Sequence, residues 1–261
     1  MILSDAQREQ FIRDGYVIAR GLIPPQIVRQ TREAMLDALG MTLTETQTWT
    51  HQSIPLEVEP LTVPCRTEGV EAVARELVGP DILPGICDSP YMDTQGIKPA
   101  ITRGFIPVLN FPSPGPRQFE PPTSGYHIDG MDWVTLWPGK FFLVVFAYLT
   151  DTPEFGGATT ILPGSHRQVF EHWQSTGQPG STTPPDLDYA APVPMPGEAG
   201  DVIFMHYLAV HSGSANHSDY IRVGLNTAVM PDPSRPYQPK TGPPQADWTP
   251  PDWTLRTDTL P

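Results

Sequence analysis

A histidine and an aspartate stand two positions apart in the stretch SGYHIDGMDW, as His127 and Asp129. In a β-strand, residues i and i+2 point to the same face, so an imidazole and a carboxylate with this spacing can converge on one metal ion. A chain with 7 histidines in 261 residues also produces such a pair by chance, and a second one is present at His217 and Asp219. Each pair must therefore be judged by the segments around it.

Those segments favour the first pair as a metal site. His217 and Asp219 lie in SANHSDY, a polar segment typical of a turn, and no histidine follows them in the sequence. His127 and Asp129 precede the apolar run KFFLVVFAYL, and His211 follows 84 positions after His127, next to the strand-like segment GDVIFMHYLAV. Two histidines and one carboxylate on one face of an octahedron hold Fe(II) and leave three positions open. We therefore expect His127, Asp129 and His211 to ligate a metal.

An arginine, Arg222, follows the third candidate ligand by 11 residues, in the segment YIRVGLNTAV. Its rigid planar fork can donate two parallel hydrogen bonds to a carboxylate. The chain has only 16 Lys and Arg against 29 Asp and Glu, so a single arginine in a strand-like segment indicates a specific role. Three metal ligands and a following arginine predict an iron site with a dicarboxylate cosubstrate.

The composition narrows the class of protein. A net charge of −13 and a pI near 4.8 argue against a nucleic-acid partner, which requires a basic surface. No apolar run approaches the ~18 residues of a membrane span. The first ten residues lack the basic start and apolar core of a signal peptide, and two cysteines, Cys65 and Cys87, make no disulfide framework. A cytoplasmic enzyme acting on a small molecule is expected.

The N-terminal part, residues 1–100, is expected to be mainly helical. A capping-box pattern at Ser4–Gln7 and a stop at Gly15 predict a first helix over residues 5–13. A strand is predicted at 16–23, a helix between Pro24 and Gly40, and another helix over 69–79.

Residues 101–230 are expected to form the β core of a single domain that spans 1–261. Strands are predicted at 105–111, 141–149, 158–162, 201–204 and 221–230, with one helix at 166–174 between them. Many short strands separated by Gly, Pro and Ser clusters favour an antiparallel sandwich or barrel. The Pro-rich segment 231–261 carries Tyr237, Trp248 and Trp253, so we expect it to be a strap packed on the domain.

Four segments, in order, resemble the phytanoyl-CoA dioxygenase family of Fe(II)/2-oxoglutarate oxygenases. They are LSDAQREQFIRDGYVIARGLIPPQIV, HID, GGATTILPGSHR and GDVIFMHYLAVHSGSANHSDYIR. The resemblance implies a mainly β fold, a double-stranded β-helix (a cupin-like jelly roll) with the N-terminal helices packed on one sheet. It also implies that His127, Asp129 and His211 bind Fe(II), that Arg222 pairs with the far carboxylate of 2-oxoglutarate, and that O2 is a cosubstrate.

Further candidates follow from the same resemblance. Asn110, in VLNFP, resembles a polar position beside the cosubstrate. The family often carries a serine two residues after the last histidine ligand; this chain has Gly213 there, and Ser214 is the neighbouring hydroxyl assigned to the cosubstrate. Position in the sequence, and not the resemblance, assigns two further residues to the substrate pocket: Trp133, which closely follows Asp129, and His206, which lies five residues before the last histidine ligand. A core position is the alternative for each. The Pro-rich segment 111–125 has no counterpart in the family that can be placed.

The expected reaction is hydroxylation of an unactivated C–H bond in a small metabolite or natural-product intermediate, with desaturation, ring closure or epimerisation as other outcomes. A cupin-like binding protein or isomerase without 2-oxoglutarate is the main alternative, and Arg222 argues against it. A halogenase would carry Gly or Ala in place of Asp129. A coenzyme A ester would require several basic groups for its phosphates, and the chain has few.

Overall fold

The structure is a computed structural model that describes residues 2–49, 64, 67–79, 106–129, 142–177 and 181–229. Its elements in chain order are α1 (Asp5–Asp14), β1 (Tyr16–Ala19), α2 (Pro25–Leu39), α3 (Glu68–Val78), β2 (Ile106–Asn110), β3 (Leu143–Tyr148), β4 (Thr159–Ile161), α4 (Ser165–Thr176), β5 (Val193–Met195), β6 (Val202–His206), β7 (His211–Gly213) and β8 (Arg222–Val229). None of the helices in these ranges is both long and apolar enough to cross a membrane.

Helix α1 begins and ends where the sequence indicates. The Ser4 Oγ accepts a hydrogen bond from the Gln7 backbone N–H at 3.3 Å, and the Gln7 Oε1 accepts one from the Ser4 N–H at 3.0 Å. These two bonds form the predicted capping box. Gly15 has a φ of 83°, and its N–H donates to the Phe11 carbonyl oxygen. This left-handed conformation ends the helix and is easiest for glycine. Helices α2 and α3 also lie on their predicted segments.

The strands of the described residues form two antiparallel sheets. The large sheet has the order β1-β6-β3-β8-β2, and the small sheet has the order β5-β4-β7. Every pairing within the two sheets is antiparallel. The predicted class, mainly antiparallel β with a few helices, is confirmed.

Alternate residues of the large sheet face two different layers, as the two-residue period of a strand requires. On one face, Val145 and Phe204 share a buried cluster with side chains of α1, α2 and α3. On the other face, Phe146 and Met205 pack with Ile161 of the small sheet. The N-terminal helices therefore cover one face of the large sheet, as expected, and the small sheet covers the other.

A third buried cluster lies behind the segment that carries His127. Ile128 is fully buried and packs with Phe170 and Trp173 of α4. Because Ile128 points into this cluster, the residues on either side of it, His127 and Asp129, point the opposite way. Helix α4 thus fixes the direction in which the two candidate ligands face.

Each of the six predicted strand segments contains an observed strand, but two strands were not predicted. These are β5 and β7, of three residues each. A period of two residues cannot be recognised over so short a run, and β5 has prolines on both sides and within it. The helix predicted at 166–174 is confirmed as α4. The predicted strap at 231–261 lies outside the described residues.

Two buried histidines meet where the end of β6 packs beside α1 and α4. The ring centroids of His166 and His206 are 4.8 Å apart. The His166 Nε2 lies 3.3 Å from the Ile12 carbonyl oxygen, and the His206 Nδ1 accepts the Leu208 N–H at 3.0 Å. Burial lowers the pKa of His166 to about 3 and also lowers the pKa of His206 well below its usual value. Both rings are therefore neutral in the native protein near neutral pH.

This pair predicts a loss of stability in mild acid. The pKa of a histidine in an unfolded chain is about 6.5, so below that pH the unfolded chain binds protons that the buried rings do not bind. The free energy of unfolding should fall by roughly 1.4 kcal/mol per pH unit for each such ring as the pH drops toward about 4. His166→Gln should remove the contribution of one ring to the change of the unfolding free energy with pH. Urea denaturation measured across that pH range tests the expectation.

His172→Gln is the control, because His172 lies on the same helix and is partly exposed. It should keep the slope of the parent. A slope that is unchanged in His166→Gln would show that His166 is protonated in the native state at mildly acidic pH.

Candidate metal centre and adjoining anion site

A pair of backbone hydrogen bonds brings His127 and His211 side by side. The His127 N–H donates to the His211 carbonyl oxygen at 3.0 Å, and the His211 N–H donates to the His127 carbonyl oxygen at 3.1 Å. This exchange is the hydrogen-bonded pairing of antiparallel strands. The two ring centroids are 4.4 Å apart. Two imidazoles that are 84 positions apart in the sequence are therefore presented at one place.

The carboxylate of Asp129 completes the cluster. Its oxygens lie 3.3 Å from the His127 Nε2 and 3.5 Å from the His211 Nε2. One potential ligand atom from each of the three residues lies within 4.8 Å of the other two. In the part of the chain that the structure describes, this is the one group of three His, Cys or acidic side chains so arranged. The structure thus brings together the three side chains that the sequence singles out.

Backbone carbonyl groups orient both imidazoles for metal binding. The His127 Nδ1 lies 2.9 Å from the Gly125 carbonyl oxygen, and the His211 Nδ1 lies 3.0 Å from the Ala209 carbonyl oxygen. A carbonyl oxygen only accepts, so each neutral ring carries its proton on Nδ1 and leaves the Nε2 lone pair free. Both Nε2 atoms face Asp129. Such outer hydrogen bonds are the usual means of fixing the tautomer of a metal-binding histidine.

The electrostatics of the cluster favour an ionised aspartate. Burial alone would raise the pKa of Asp129, but the hydrogen bonds and positive charges that His127 and His211 supply when their Nε2 atoms are protonated lower that pKa well below its usual range. The hydrogen bond to Asp129 raises the pKa of His127, against the lowering effect of the burial of His127 itself. Asp129 is thus a carboxylate that is able to bind a cation.

The cluster opens to solvent on one side. The side chain of His211 is 7% exposed, that of Asp129 is 26% exposed and that of His127 is 45% exposed. An ion held by these three groups would have its protein ligands on the inner side and open positions on the side of His127. An open coordination sphere of this kind admits substrates and distinguishes a catalytic site from a structural one.

The second His-x-Asp pair does not form a site of this kind. His217 is 8% exposed, and its Nδ1 lies 3.1 Å from the Ser113 carbonyl oxygen. The side chain of Asp219 is 81% exposed and pairs with Arg117. One side chain is buried and the other is in solvent, so they do not converge on a common point. Within the described ranges, no group of three potential ligands includes either of them.

This second pair instead attaches the Pro-rich segment 111–125 to the core. Asp219 binds Arg117, and the His217 Nε2 lies 3.5 Å from a carboxylate oxygen of Glu120. Both partners belong to the segment, which leads directly into His127. The attachment therefore holds segment 111–125 against the connection before β8.

Arg222, the first residue of β8, is a buried charge that has no hydrogen-bond or ion-pair partner among the described residues. It is 4% exposed, and its Nε and Nη1 atoms find no hydrogen-bond partner among the residues described. Burial lowers the pKa of Arg222, but a guanidinium keeps its proton in proteins. A buried, uncompensated charge is strongly destabilising. An anionic ligand that accepts from these two groups would account for it.

Asn110 and Ser214 lie beside this arginine. Asn110 pairs with Arg222 across β2 and β8, and its Nδ2 donates to the Ser214 carbonyl oxygen at 2.9 Å. The Ser214 Oγ donates to the Ala158 carbonyl oxygen at 2.9 Å, so its proton is engaged within the protein. The contacts of Asn110 and Ser214 with a cosubstrate stay predictions. Ser214 follows His211 by three residues, so β7 joins the anion site to the metal centre.

The structure describes only one of the two residues assigned to a substrate pocket. His206 is 2% exposed and stacks on Tyr207, with ring centroids 4.7 Å apart. The chain turns between β6 and β7, so His206 and His211 belong to different sheets and not to one continuous strand. Trp133 lies outside the described residues. A role in substrate binding stays a prediction for both.

Sequence analysis did not single out Phe146, which lies against the arginine, or Gly224, which lies against Phe146. The guanidinium carbon of Arg222 is 5.0 Å from the ring centroid of Phe146. A Cβ atom added to Gly224 would lie 2.2 Å from the Phe146 Cζ. An isolated glycine in a strand-like segment such as RVGLNTAV often marks a close approach, and this signal could have identified Gly224.

Comparison with protein families supports the motifs. The model of the phytanoyl-CoA dioxygenase (PhyH) family matches residues 110–224. That segment includes His127, Asp129, His211 and Arg222, so the resemblance predicted from the sequence is confirmed over it. No curated protein sequence matches the chain.

Solved structures with a similar fold cover most of the chain. The non-haem alpha ketoglutarate dependent carbocyclase SnoK from nogalamycin biosynthesis is 19% identical, with a TM-score of 0.54, over 88% of this chain and 84% of that one. The epimerase SnoN from the same biosynthesis is 20% identical, with a TM-score of 0.55, over 87% and 82%. EctD from S. alaskensis, solved with 2-oxoglutarate and 5-hydroxyectoine, is 16% identical, with a TM-score of 0.56, over 88% and 76%. At these identities the likeness establishes a shared fold.

The two His-x-Asp pairs give opposite predictions for metal binding. His127→Ala and His211→Ala should each weaken binding of a divalent ion by roughly a hundredfold or more, because one of three ligands is lost. His217→Ala should bind as the parent does. Anaerobic titration with Co(II), followed by visible absorption, measures all three. Retained binding in His127→Ala together with lost binding in His217→Ala would mean that the wrong pair has been chosen.

Proposed function

We propose that this chain, whose residues 110–224 match the phytanoyl-CoA dioxygenase family, is a non-haem Fe(II)/2-oxoglutarate-dependent dioxygenase. The observation that carries the proposal is a His–Asp–His cluster joined through β7 to a buried arginine whose Nε and Nη1 have no hydrogen-bond partner in the described residues. The reaction is oxidation of an unactivated C–H bond in a small molecule, with O2 and 2-oxoglutarate as cosubstrates and hydroxylation as the default outcome.

The metal ligands are His127, Asp129 and His211. The two histidines offer Nε2 lone pairs that their backbone hydrogen bonds keep free, and the carboxylate supplies one negative charge. Two imidazoles and one carboxylate on a single face suit Fe(II) and leave positions for other ligands. When bound, the iron supplies the O2 activation that couples decarboxylation of 2-oxoglutarate to oxidation of the substrate.

Arg222 binds the far carboxylate of 2-oxoglutarate. Its fork can donate two parallel hydrogen bonds, and both the Nε and the Nη1 are unengaged in the described structure. A ligand that reaches both this arginine and the metal centre needs an anionic group at one end and metal-chelating oxygens at the other. 2-Oxoglutarate has both, and burial of the arginine keeps water away from the charged pair.

We place this site within a double-stranded β-helix, in one domain that spans the chain. Two antiparallel sheets pack face to face, with Phe146 and Ile161 among the side chains between them. Arg222 is on the large sheet, and His211 is on the small sheet. The jelly-roll arrangement thus allows one small ligand to touch both sheets.

The alternative is a cupin-like metal-binding protein or isomerase that does not use 2-oxoglutarate. Such a protein would need the three metal ligands but would have no use for a buried arginine that lacks a hydrogen-bond partner among the described residues. Halogenation is disfavoured because Asp129 occupies the position that a halide would take on the iron. The presence of both features, Arg222 and Asp129, supports an oxygenase.

The substrate we propose is a small metabolite or natural-product intermediate. The carbocyclase and the epimerase with a similar fold belong to nogalamycin biosynthesis, and EctD was solved with 5-hydroxyectoine. These compounds are small molecules, and this chain has few basic residues with which to bind the phosphates of coenzyme A. Anaerobic titration with Fe(II) and 2-oxoglutarate, followed by a screen of small molecules for succinate release, tests the proposal directly.

Asp129→Gly should lower substrate-coupled succinate release by about a hundredfold or more and should weaken iron binding, since two imidazoles alone hold Fe(II) poorly. Asp219→Gly, in the second His-x-Asp pair, is the matched control and should retain both properties. Succinate is measured by chromatography and iron by a chelator assay. Substantial turnover in Asp129→Gly would show that this carboxylate is dispensable.

Arg222→Leu should raise the dissociation constant of 2-oxoglutarate by roughly two to three orders of magnitude, because breaking a buried charge-assisted pair costs ~3–5 kcal/mol. The iron content of the folded protein should stay nearly unchanged. Arg222→Lys should rescue binding only in part, since it keeps the charge and loses the fork. Calorimetry under anaerobic conditions measures the affinity.

Arg32→Leu is the control for this experiment. Arg32 is half-buried and donates to the Leu149 carbonyl oxygen, away from the site. It should bind 2-oxoglutarate as the parent does. If the parent bound no 2-oxoglutarate, or if Arg222→Leu bound it equally well, the oxygenase proposal would fail.

A further inference from the structure

We infer that Phe146 and Gly224 form an aromatic seat that holds the guanidinium of Arg222 in place for the far carboxylate of the cosubstrate. The inference rests on the proposed function and adds to it two positioning residues, which act through Arg222. The seat consists of the ring of Phe146 and the bare backbone of Gly224.

The geometry of the seat is close. The guanidinium carbon of Arg222 is 5.0 Å from the centroid of the Phe146 ring, within the ~6 Å over which a cation is attracted to an aromatic face. Arg222 and Phe146 are each 4% exposed. A cation–π contact is strongest when both partners are removed from water, because water no longer screens the attraction.

Gly224 makes room for the ring. Residues 222 and 224 are two apart on β8, so they point to the same face of the large sheet. A Cβ atom at position 224 would lie 2.2 Å from the Phe146 Cζ and 2.7 Å from its Cε1. Distances this short are not tolerated, so any side chain at position 224 displaces the ring that lies against Arg222. Glycine is therefore required here for space.

The seat also explains how the protein accommodates a buried charge that has no ion pair among the described residues. In the described residues no carboxylate forms an ion pair with Arg222. A carboxylate in that place would compensate the charge but would occupy the N–H groups that the ligand needs. An aromatic face stabilises the cation through its quadrupole and leaves the edge of the guanidinium free. The Nε and Nη1 groups of Arg222 are free in this sense, because neither has a hydrogen-bond partner among the described residues.

Tyr148 ties the seat to the small sheet. Its ring meets the Phe146 ring edge-on, with centroids 5.2 Å apart and planes at 72°. The Tyr148 hydroxyl donates to the Met195 carbonyl oxygen of β5 at 2.5 Å. The small sheet, to which Tyr148 is hydrogen-bonded, also carries His211. The same sheet therefore positions both the anion site and the metal centre.

The test uses two ligands that differ only in the group that Arg222 binds. 2-Oxoglutarate has the far carboxylate, and 2-oxobutyrate has the same keto acid end without it. Binding of each is measured by anaerobic calorimetry on protein loaded with Mn(II). Phe146→Leu and Gly224→Ala should each weaken 2-oxoglutarate by about tenfold and leave 2-oxobutyrate unchanged. Affinity for Mn(II) should also stay at the parent value.

Two further variants separate positioning from general damage to the core. Phe204 is fully buried on the opposite face of the same sheet, so Phe204→Leu should lower the melting temperature without changing either affinity. The double variant Phe146→Leu with Gly224→Ala should bind 2-oxoglutarate no more weakly than Phe146→Leu alone. Two changes that act through one ring are not additive.

The possible failures are distinguishable. If the parent bound both ligands equally, Arg222 would not be an anion site and the proposed function would fall together with the seat. If the parent preferred 2-oxoglutarate, and Phe146→Leu and Gly224→Ala kept that preference, the proposed function would stand and the seat would be wrong. If Phe146→Leu did not fold, Gly224→Ala, which keeps the aromatic ring, would decide the question alone.

Discussion

The two backbone hydrogen bonds between His127 and His211 are the contact on which the geometry of the site depends. His211 also pairs with Ile161 of β4, so the bonds to His127 extend the small sheet by one further position. Because side chains alternate along an extended chain, this register places His127 and Asp129 on one side and Ile128 on the other. A slip of one residue would bury the ligands under α4 and expose an isoleucine. The apolar surface of α4 therefore helps to enforce the register that the polar site requires.

The parts of the fold that depend on local physics could be predicted from the sequence. The capping box at Ser4 and Gln7 defines the start of α1 without any tertiary contact, and the two-residue period of a strand places Asp129 beside His127. Other parts depend on contacts that have no local signature. Strand β7 is three residues long and exists because β4 pairs with it. The contact of Phe146 with Arg222 joins positions 76 apart in the sequence, and only the register of β3 and β8 reveals it.

The two His-x-Asp pairs show that a three-residue motif does not by itself determine whether its side chains bind a metal. Both have the same spacing, but only the first lies in extended backbone that is paired to another strand segment. The second lies in the connection before β8, where His217 faces inward and Asp219 faces solvent. Their different roles follow from backbone conformation, which the three-residue motif does not encode. The Pro-rich segment 111–125 uses the second pair as its attachment to the connection before β8.

The separation of His127 and His211 also determines when the site can exist during folding. Their pairing closes a loop of 84 positions that contains β3, β4, α4, β5 and β6. Long-range contacts of this kind form late, because the entropy of loop closure must first be offset by the elements inside the loop. A metal that binds only the assembled ligands stabilises the native state over every partly folded form. An ion bound by His127, Asp129 and His211 would therefore hold together two segments that are far apart in the sequence, and removal of the metal would weaken their pairing at the edge of the small sheet.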